Sequence, residues 1–360
     1  MKVGYAILYI DGELVISKNH TLLKKNIIKD YGEFEDTNFP WEKESSKIKK
    51  VQILNQVKSN NMNGWFMDCI YLTTLIDFKN LDVSDCTDFS CMFYNCQSLQ
   101  NLNELQDWNV SDGKVFADMF NMCFELKSID ALKNWNVLNG KDFSGMFANC
   151  IDLTDIDALE NWNISNGKDF SDMFYHCKSL QNLNGLQTWN VFNGEDFSYM
   201  FNTCELLQNI NALKNWNVSN GEDFSDMFAY CQSLQNIDAL TNWNVSKCTD
   251  FSSMFSYCKS LQALNALQNW NVSNGKNFSY MFSFCKSLEN LNELLNWNVF
   301  NGIKFSYMFN NCISLKEISL PNTLYILKKD MFEKCNSKLK IHWKKHIYTY
   351  EDLLEYEKIY

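Results

Sequence analysis

Fourteen cysteines, a row of aspartates and a pair of histidines are the side chains of this 360-residue chain whose types and spacing suggest chemistry. Ten cysteines, from Cys69 and Cys96 through Cys285 to Cys312, share one phase of 27 residues, and Cys335 follows 23 residues later. A column of thiols could pair as disulfides or take a soft metal. Parallel side chains on coils about 4.8 Å apart fit the disulfide torsion poorly, and an odd column leaves one thiol over. Cys86 and Cys248 share another phase, Cys91 stands alone, and the Cys86, Cys91, Cys96 spacing is not that of a zinc knuckle. The pattern predicts reduced thiols acting as small core residues. Asp142, Asp169, Asp196, Asp223 and Asp250 form an in-phase row that could hold cations between coils. Each also stands where a short helix is expected to begin, so N-capping accounts for the row. His342 and His346 are one helical turn apart, but no third ligand is near, and Lys344 and Lys345 between them read as a solvated basic tail. No nucleophile with an adjacent base, phosphate loop or pair of unlike carboxylates stands apart from the repeat, which predicts no enzyme, no metal and no cofactor.

The elements that would position these side chains are copies of one unit. Eight tryptophans, from Trp108 and Trp135 through Trp270 to Trp297, recur every 27 residues, and the Phe of a Met-Phe pair keeps the same step from Phe93 to Phe309. Such a period predicts a solenoid in which each unit buries its apolar face on its neighbours. Trp65-Phe66 and Cys69 lie in phase with Leu81 in place of tryptophan, and Met331-Phe332 returns after 23 residues. These mark a degenerate first coil and a capping coil of another length. In residues 162–188, Trp162 and Ile164 read as a strand, Asn166-Gly167 as a turn using positive φ, and Asp169 as the N-cap of a short helix carrying Phe170, Met173 and Phe174. Cys177, Leu180, Leu183 and Leu186 then lead into the next coil with the three-residue spacing of leucine-rich repeats. The fold expected is an α/β leucine-rich-repeat solenoid of 27-residue coils. Its parts are an N-terminal hairpin and cap (1–64), the solenoid (65–312), and a C-terminal capping coil with tail (313–360). Within the cap, Asp11-Gly12 between two apolar runs reads as a hairpin turn.

The unit Trp243-Asn-Val-Ser-Lys-Cys-Thr-Asp-Phe-Ser-Ser-Met-Phe-Ser-Tyr-Cys258 resembles the BspA-like leucine-rich-repeat family, in the form carrying the mycoplasma-lipoprotein-associated repeat. The match runs from about Ile48 to Cys335, while most units here have Asn-Gly for the family's Asn-Val-Thr and a period two residues longer. The resemblance implies an exported or surface-attached protein with adhesive or host-contacting roles. Against that, no apolar run reaches the roughly 20 residues of a membrane span, and Val3–Ile10 is too short for a signal-peptide core, so a cytoplasmic location is the default expectation.

All 32 basic residues are lysine, so the planar arginine fork that reads guanines and phosphates is missing. Residues 81–312 carry 26 acidic and 12 lysine side chains, a net of −14 that repels phosphate backbones and argues against nucleic acid. The asparagines beginning at Asn109 are expected to hydrogen-bond between coils; several form sequons, which matter only in a eukaryotic secretory route. What remains for recognition is residues that break the repeat. Tyr199, Tyr280 and Tyr307 share one phase just before Met-Phe, and Phe192 and Phe300 replace a serine after the tryptophan segment. Exposed aromatics on a rigid face can anchor a partner. The sequence thus predicts a non-enzymatic binding scaffold for a protein or, as a second partner class, a surface glycan. The alternative is a structural protein that self-associates, with the alternating apolar and acidic segment Tyr348–Tyr360 docking on another copy.

Overall fold

The computed structural model describes residues 1–356. Two apolar runs form β1 (Lys2–Tyr9) and β2 (Glu13–Ser17), antiparallel with Leu8 opposite Leu14. Gly12 closes their turn at a φ of +85°, where a Cβ would also lie 2.7 Å from the Lys47 carbonyl oxygen. β3 (Ile27–Glu35) pairs antiparallel with the other edge of β1. On the β2 side come β4 (Lys50–Ile53) and, beyond the two-residue β5 (Val57–Lys58), β6 (Thr74–Ile76); both pairings here are parallel. The sheet order β3-β1-β2-β4-β6 turns an antiparallel cap into the parallel stacking that the array continues. β5 pairs parallel with β7 (Leu81–Asp82) in the same sense.

Within the array the coil differs from the expected strand, turn and short helix. The segment after Asp169 is not helical. Asp172 and His176 adopt φ of 55° and 61°, which breaks any helix there. Alternate amides of this segment point along the stack: Phe170, Asp172, Phe174 and His176 donate to the carbonyls of Asp196, Ser198, Met200 and Asn202 in the next coil at 2.7–3.0 Å. The amides between them close turns inside the coil, as Met173 does to Phe170 and Tyr175 to Asp172. The result is a parallel ladder of linked turns, with single bridges stepping Asp142 to Asp169 to Asp196 to Asp223 to Asp250. Spacings of three and four suit both a helix face and successive turns that each drop one side chain inward. Short 3₁₀ turns form instead in the leucine stretch ahead of each tryptophan, such as Asp157–Asn161 and Asp238–Asn242.

The interior consists of columns. Trp162 and Trp189 are buried, and each indole Nε1 donates to a leucine carbonyl 30 residues earlier, at 2.9 and 3.0 Å. Neighbouring indoles such as Trp189 and Trp216 lie parallel, 6.3 Å apart. Phe170, Phe197 and Phe224 stack at 5.6 and 5.3 Å, and the Met-Phe phenylalanines at about the same step. Each such ring contributes roughly 1.5–3 kcal/mol by leaving water. The cysteines are free thiols, buried in this core except for the partly exposed Cys91 and Cys335, and Cys177 Sγ lies 3.2 Å from the Phe147 carbonyl oxygen. One apolar core extends from Val3 to Leu353.

Three local expectations need correction. Gly167 does not use positive φ; a Cβ there would meet Phe170 Cζ at 2.3 Å, so glycine serves the close passage of the ring. The aspartates cap no helix: Asp169 Oδ1 accepts the amide of Ser171 at 2.9 Å and its hydroxyl at 2.6 Å, an Asx turn. The asparagines after each tryptophan act inside their own coil, Asn163 Oδ1 accepting the Ser165 amide at 3.2 Å. The amide ladder between coils belongs to the Asn before Gly, with Asn166 and Asn193 Nδ2 donating to the carbonyls of Leu138 and Ser165.

At the C-terminal end β8 (Asn290–Leu291), β9 (Glu317–Ser319) and β10 (Lys340–Trp343) pair in parallel, and β11 (His346–Tyr348) returns antiparallel. His342 and His346 therefore sit on two strands, opposite Ile347 and Trp343, rather than on one helical turn of a solvated tail. The α-helix α1 (Tyr350–Tyr356) follows, with Leu353 buried in the core. That part of the expected docking tail packs on its own chain; residues 357–360 of it lie outside the described residues.

Candidate recognition surfaces

Each coil passes twice through left-handed backbone. Asp172, Tyr199, Asp226, Ser253, Tyr280 and Tyr307 belong to one column with φ of 54–60°. His176, Thr203, Tyr230, Tyr257 and Phe284 belong to the second, four residues on, with φ of 60–62°. Between the columns the Met and Phe of each coil are buried, so this surface is a row of turns over a rigid core.

Tyr280 and Tyr307 meet, their rings 5.0 Å apart and 17° from parallel. Tyr199 stands three coils away from Tyr280 and contacts Tyr175 edge-on at 6.4 Å. Its hydroxyl faces Asp226, and partial burial followed by that carboxylate's charge pushes its ionisation up to about 12. Burial, with the charges of neighbouring carboxylates, lifts Asp172 and Asp226 to about 6. The second column holds aromatics that the sequence reading missed. Tyr230, Tyr257 and Phe284 form a continuous stack with centroids 4.3 and 4.1 Å apart and rings within 11° of parallel. Tyr230 is exposed and the other two half-exposed, with Lys286 Nζ 6.0 Å from the Phe284 ring. The signal was present in Tyr230-Cys231, Tyr257-Cys258 and Phe284-Cys285, the residue before each core cysteine.

Phe192 and Phe300 are exposed but lie four coils apart, each at the corner after the tryptophan, where Asn190 and Asn298 Oδ1 accept their amides. Phe300 contacts Tyr325 of the capping coil at 5.1 Å, edge to face. There, between the last full coil and the shorter cap, lies a cavity of about 420 Å³ bounded by Ile303, Phe305, Tyr325 and Ile326. The acidic row changes sign on reaching it, from Asp250 through Asn277 to Lys304. Among the described residues no group of three or more His, Cys, Asp or Glu converges to hold a metal, and no helix is long and apolar enough to cross a membrane.

Stacked turns, tryptophan columns and the cysteine column together define a leucine-rich-repeat solenoid. The model of the family described as Mycoplasma protein of unknown function, DUF285, matches residues 58–183, 152–264 and 232–343, and the chain belongs to this family. Among solved structures, a leucine-rich cell surface protein from Faecalibacterium prausnitzii A2-165 is 14% identical, with a TM-score of 0.39 over 96% of this chain and 95% of that one. A leucine-rich repeat protein from Bacteroides ovatus ATCC 8483 is 14% identical, with a TM-score of 0.35 over 95% and 98%. One from Eubacterium ventriosum ATCC 27560 is likewise 14% identical, with a TM-score of 0.34 over 92% and 94%. No protein of curated function matches this chain.

Proposed function

We propose that the chain is a non-enzymatic binding scaffold that engages a protein partner through the face formed by its two left-handed columns. The observation that carries this reading is the set of aromatic residues held at positive φ: Tyr199, Tyr230, Tyr257, Tyr280, Phe284 and Tyr307. Left-handed backbone costs an L-residue with a bulky side chain on the order of 1 kcal/mol, and Gly, Asn, Asp, Ser, Thr, His, Cys or Met fills the same columns in other coils. Fold stability alone therefore does not call for aromatics at these positions. Rigid, pre-stacked rings lose little conformational freedom on binding, which suits them as anchors. The surrounding carboxylates favour a partner with basic or neutral groups at its rim. A surface glycan is the second class of partner considered, because a flat stacked face is open to sugar rings as well.

The test replaces Tyr257 and Tyr280 by Asn, which tolerates this backbone, and compares wild type with the double variant on a protein array and a glycan array. A protein captured by the wild type and lost at least tenfold by an equally folded variant is the expected result. Equal capture by both overturns the face, and aromatic-dependent capture of glycans alone overturns the protein partner.

A further inference from the structure

The capping coil is four residues shorter than the others, and the ladder does not close across it. At the preceding junction Ile303 and Lys304 donate to the Lys276 carbonyl at 2.7 and 3.0 Å, and Phe278 donates to the Lys304 carbonyl at 2.8 Å. Beyond the last full coil the ladder is back by Phe309, which donates to Met331 at 2.8 Å, and Asn311, which donates to Glu333 at 2.7 Å. That register would set Ile326 and Leu327 against Ile303 and Phe305. Among the described residues no backbone hydrogen bond joins those two pairs, and the series of bridges stops at Lys304. The 420 Å³ cavity occupies this gap. Its surroundings are mixed: Ile303 and Ile326 are 74% and 60% exposed at it, and Lys304 and Lys328 line it with Ser279 and Ser306. Neither lysine forms an ion pair among the described residues.

We propose that this gap is a strand-addition site: an extended segment of a partner protein, with acidic side chains alternating with apolar ones, pairs with the open edge at Ile303–Phe305. An unpaired edge offers main-chain groups that an extended peptide satisfies, while alternate side chains enter the pocket or face solvent. Its alternate apolar side chains enter between Ile303, Phe305, Tyr325 and Ile326. The acidic ones meet Lys304 and Lys328, and charge complementarity selects them over basic ones. This surface lies apart from the aromatic stack Tyr230, Tyr257 and Phe284, so it stands or falls independently of that reading.

The probe is a fluorescein-labelled, end-capped peptide of five Val-Glu pairs, titrated against the full chain by anisotropy. Two control peptides carry Val-Lys pairs or N-methyl groups on alternate amides. The acidic peptide binds at least tenfold more tightly than either control. A Lys304→Glu, Lys328→Glu variant with unchanged near-ultraviolet dichroism reverses the charge preference, and Tyr257→Asn leaves it unaltered. Hydrogen exchange at residues 303–307 slows when the peptide binds. Equal affinity for the N-methylated peptide, absence of binding, or an unchanged charge preference in the lysine variant overturns the proposal. So does sedimentation showing that the chain alone dimerises with 303–307 protected, since the edge is then taken by a second copy.

Discussion

Phe224 and Phe305 occupy the same step of the coil, three coils apart, and meet different surroundings. Phe224 is fully buried, stacked on Phe197 at 5.3 Å and leaning on Trp243, and its amide is bound by the following coil. Phe305 stacks on Phe278 at the same 5.3 Å, but its other side borders the cavity and it is only partly buried. Strict repetition in length thus keeps the turn ladder bonded from coil to coil along the array, so that on this face side chains are left for recognition. A coil of another length leaves main chain available too. The two kinds of surface differ in what a partner can read, aromatic anchors on one and backbone pairing on the other.

The largest expected effect probes the sealed interior. Burial pushes the thiols of Cys177 and Cys231 up to about 12, from about 9 when solvated. Between those values the unfolded chain loses the proton and the folded chain keeps it, so stability is full below pH 9 and falls as pH rises. The loss is about 1.4 kcal/mol per pH unit for each thiol. Urea melts from pH 8 to 11 should show a steep decline, shallower by one proton in Cys177→Ala. A flat profile would place these thiols in solvent and break the comparison.

Truncating the paired phenylalanines comes next. Phe224→Ala should cost about 3–5 kcal/mol in chemical denaturation, and Phe305→Ala less than half as much, because one side of that ring already borders open space. Equal losses would mean that the cap seals its neighbour as well as a full coil does. The glycines three residues ahead of such rings sharpen the same contrast. At Gly194 and at Gly302 alike a Cβ would meet the ring Cζ at 2.3 Å. Gly194→Ala should cost about 1–3 kcal/mol by overpacking, and Gly302→Ala less, since Phe305 has the cavity to move into.

The smallest effect concerns the turn face. Asp172 and Asp226 titrate near 6 rather than near 4 because burial and neighbouring carboxylates disfavour their charge. The folded chain therefore holds protons that the unfolded chain has released, and stability falls as pH rises from about 4 to about 6. Asp172→Asn and Asp226→Asn should flatten that slope and raise the melting temperature at pH 7. An unchanged slope would show these carboxylates to be as solvated as surface ones.

The period made the stacking legible because Trp, Met-Phe and Cys each keep one phase, and a repeat without insertions admits no other packing of so many aromatic residues. The local path was not legible, because Phe170, Met173 and Phe174 have spacings that a helix and a chain of turns share. What separates the two is the backbone of Asp172 and His176, and neither residue type dictates positive φ. Asn166-Gly167 misled for a related reason: glycine is needed there for space beside Phe170, which only the packed coil reveals. For the surfaces, Tyr280 and Tyr307 were found as departures from the repeat, whereas the stack of Tyr230, Tyr257 and Phe284 required the neighbouring columns to be aligned. The 23-residue return of Met331-Phe332 announced a shorter cap. It could not say which rungs the shortening would remove.

Amide hydrogen exchange tests most directly the claim that the turn ladder is closed along the array and open at the cap. The Phe224 and Thr249 amides donate to neighbouring coils at 3.1 and 2.9 Å, while those of Phe305, Ile326 and Leu327 have no such partner among the described residues. The second group should exchange about two orders of magnitude faster than the first at neutral pH. Equal protection of the two groups would contradict the account.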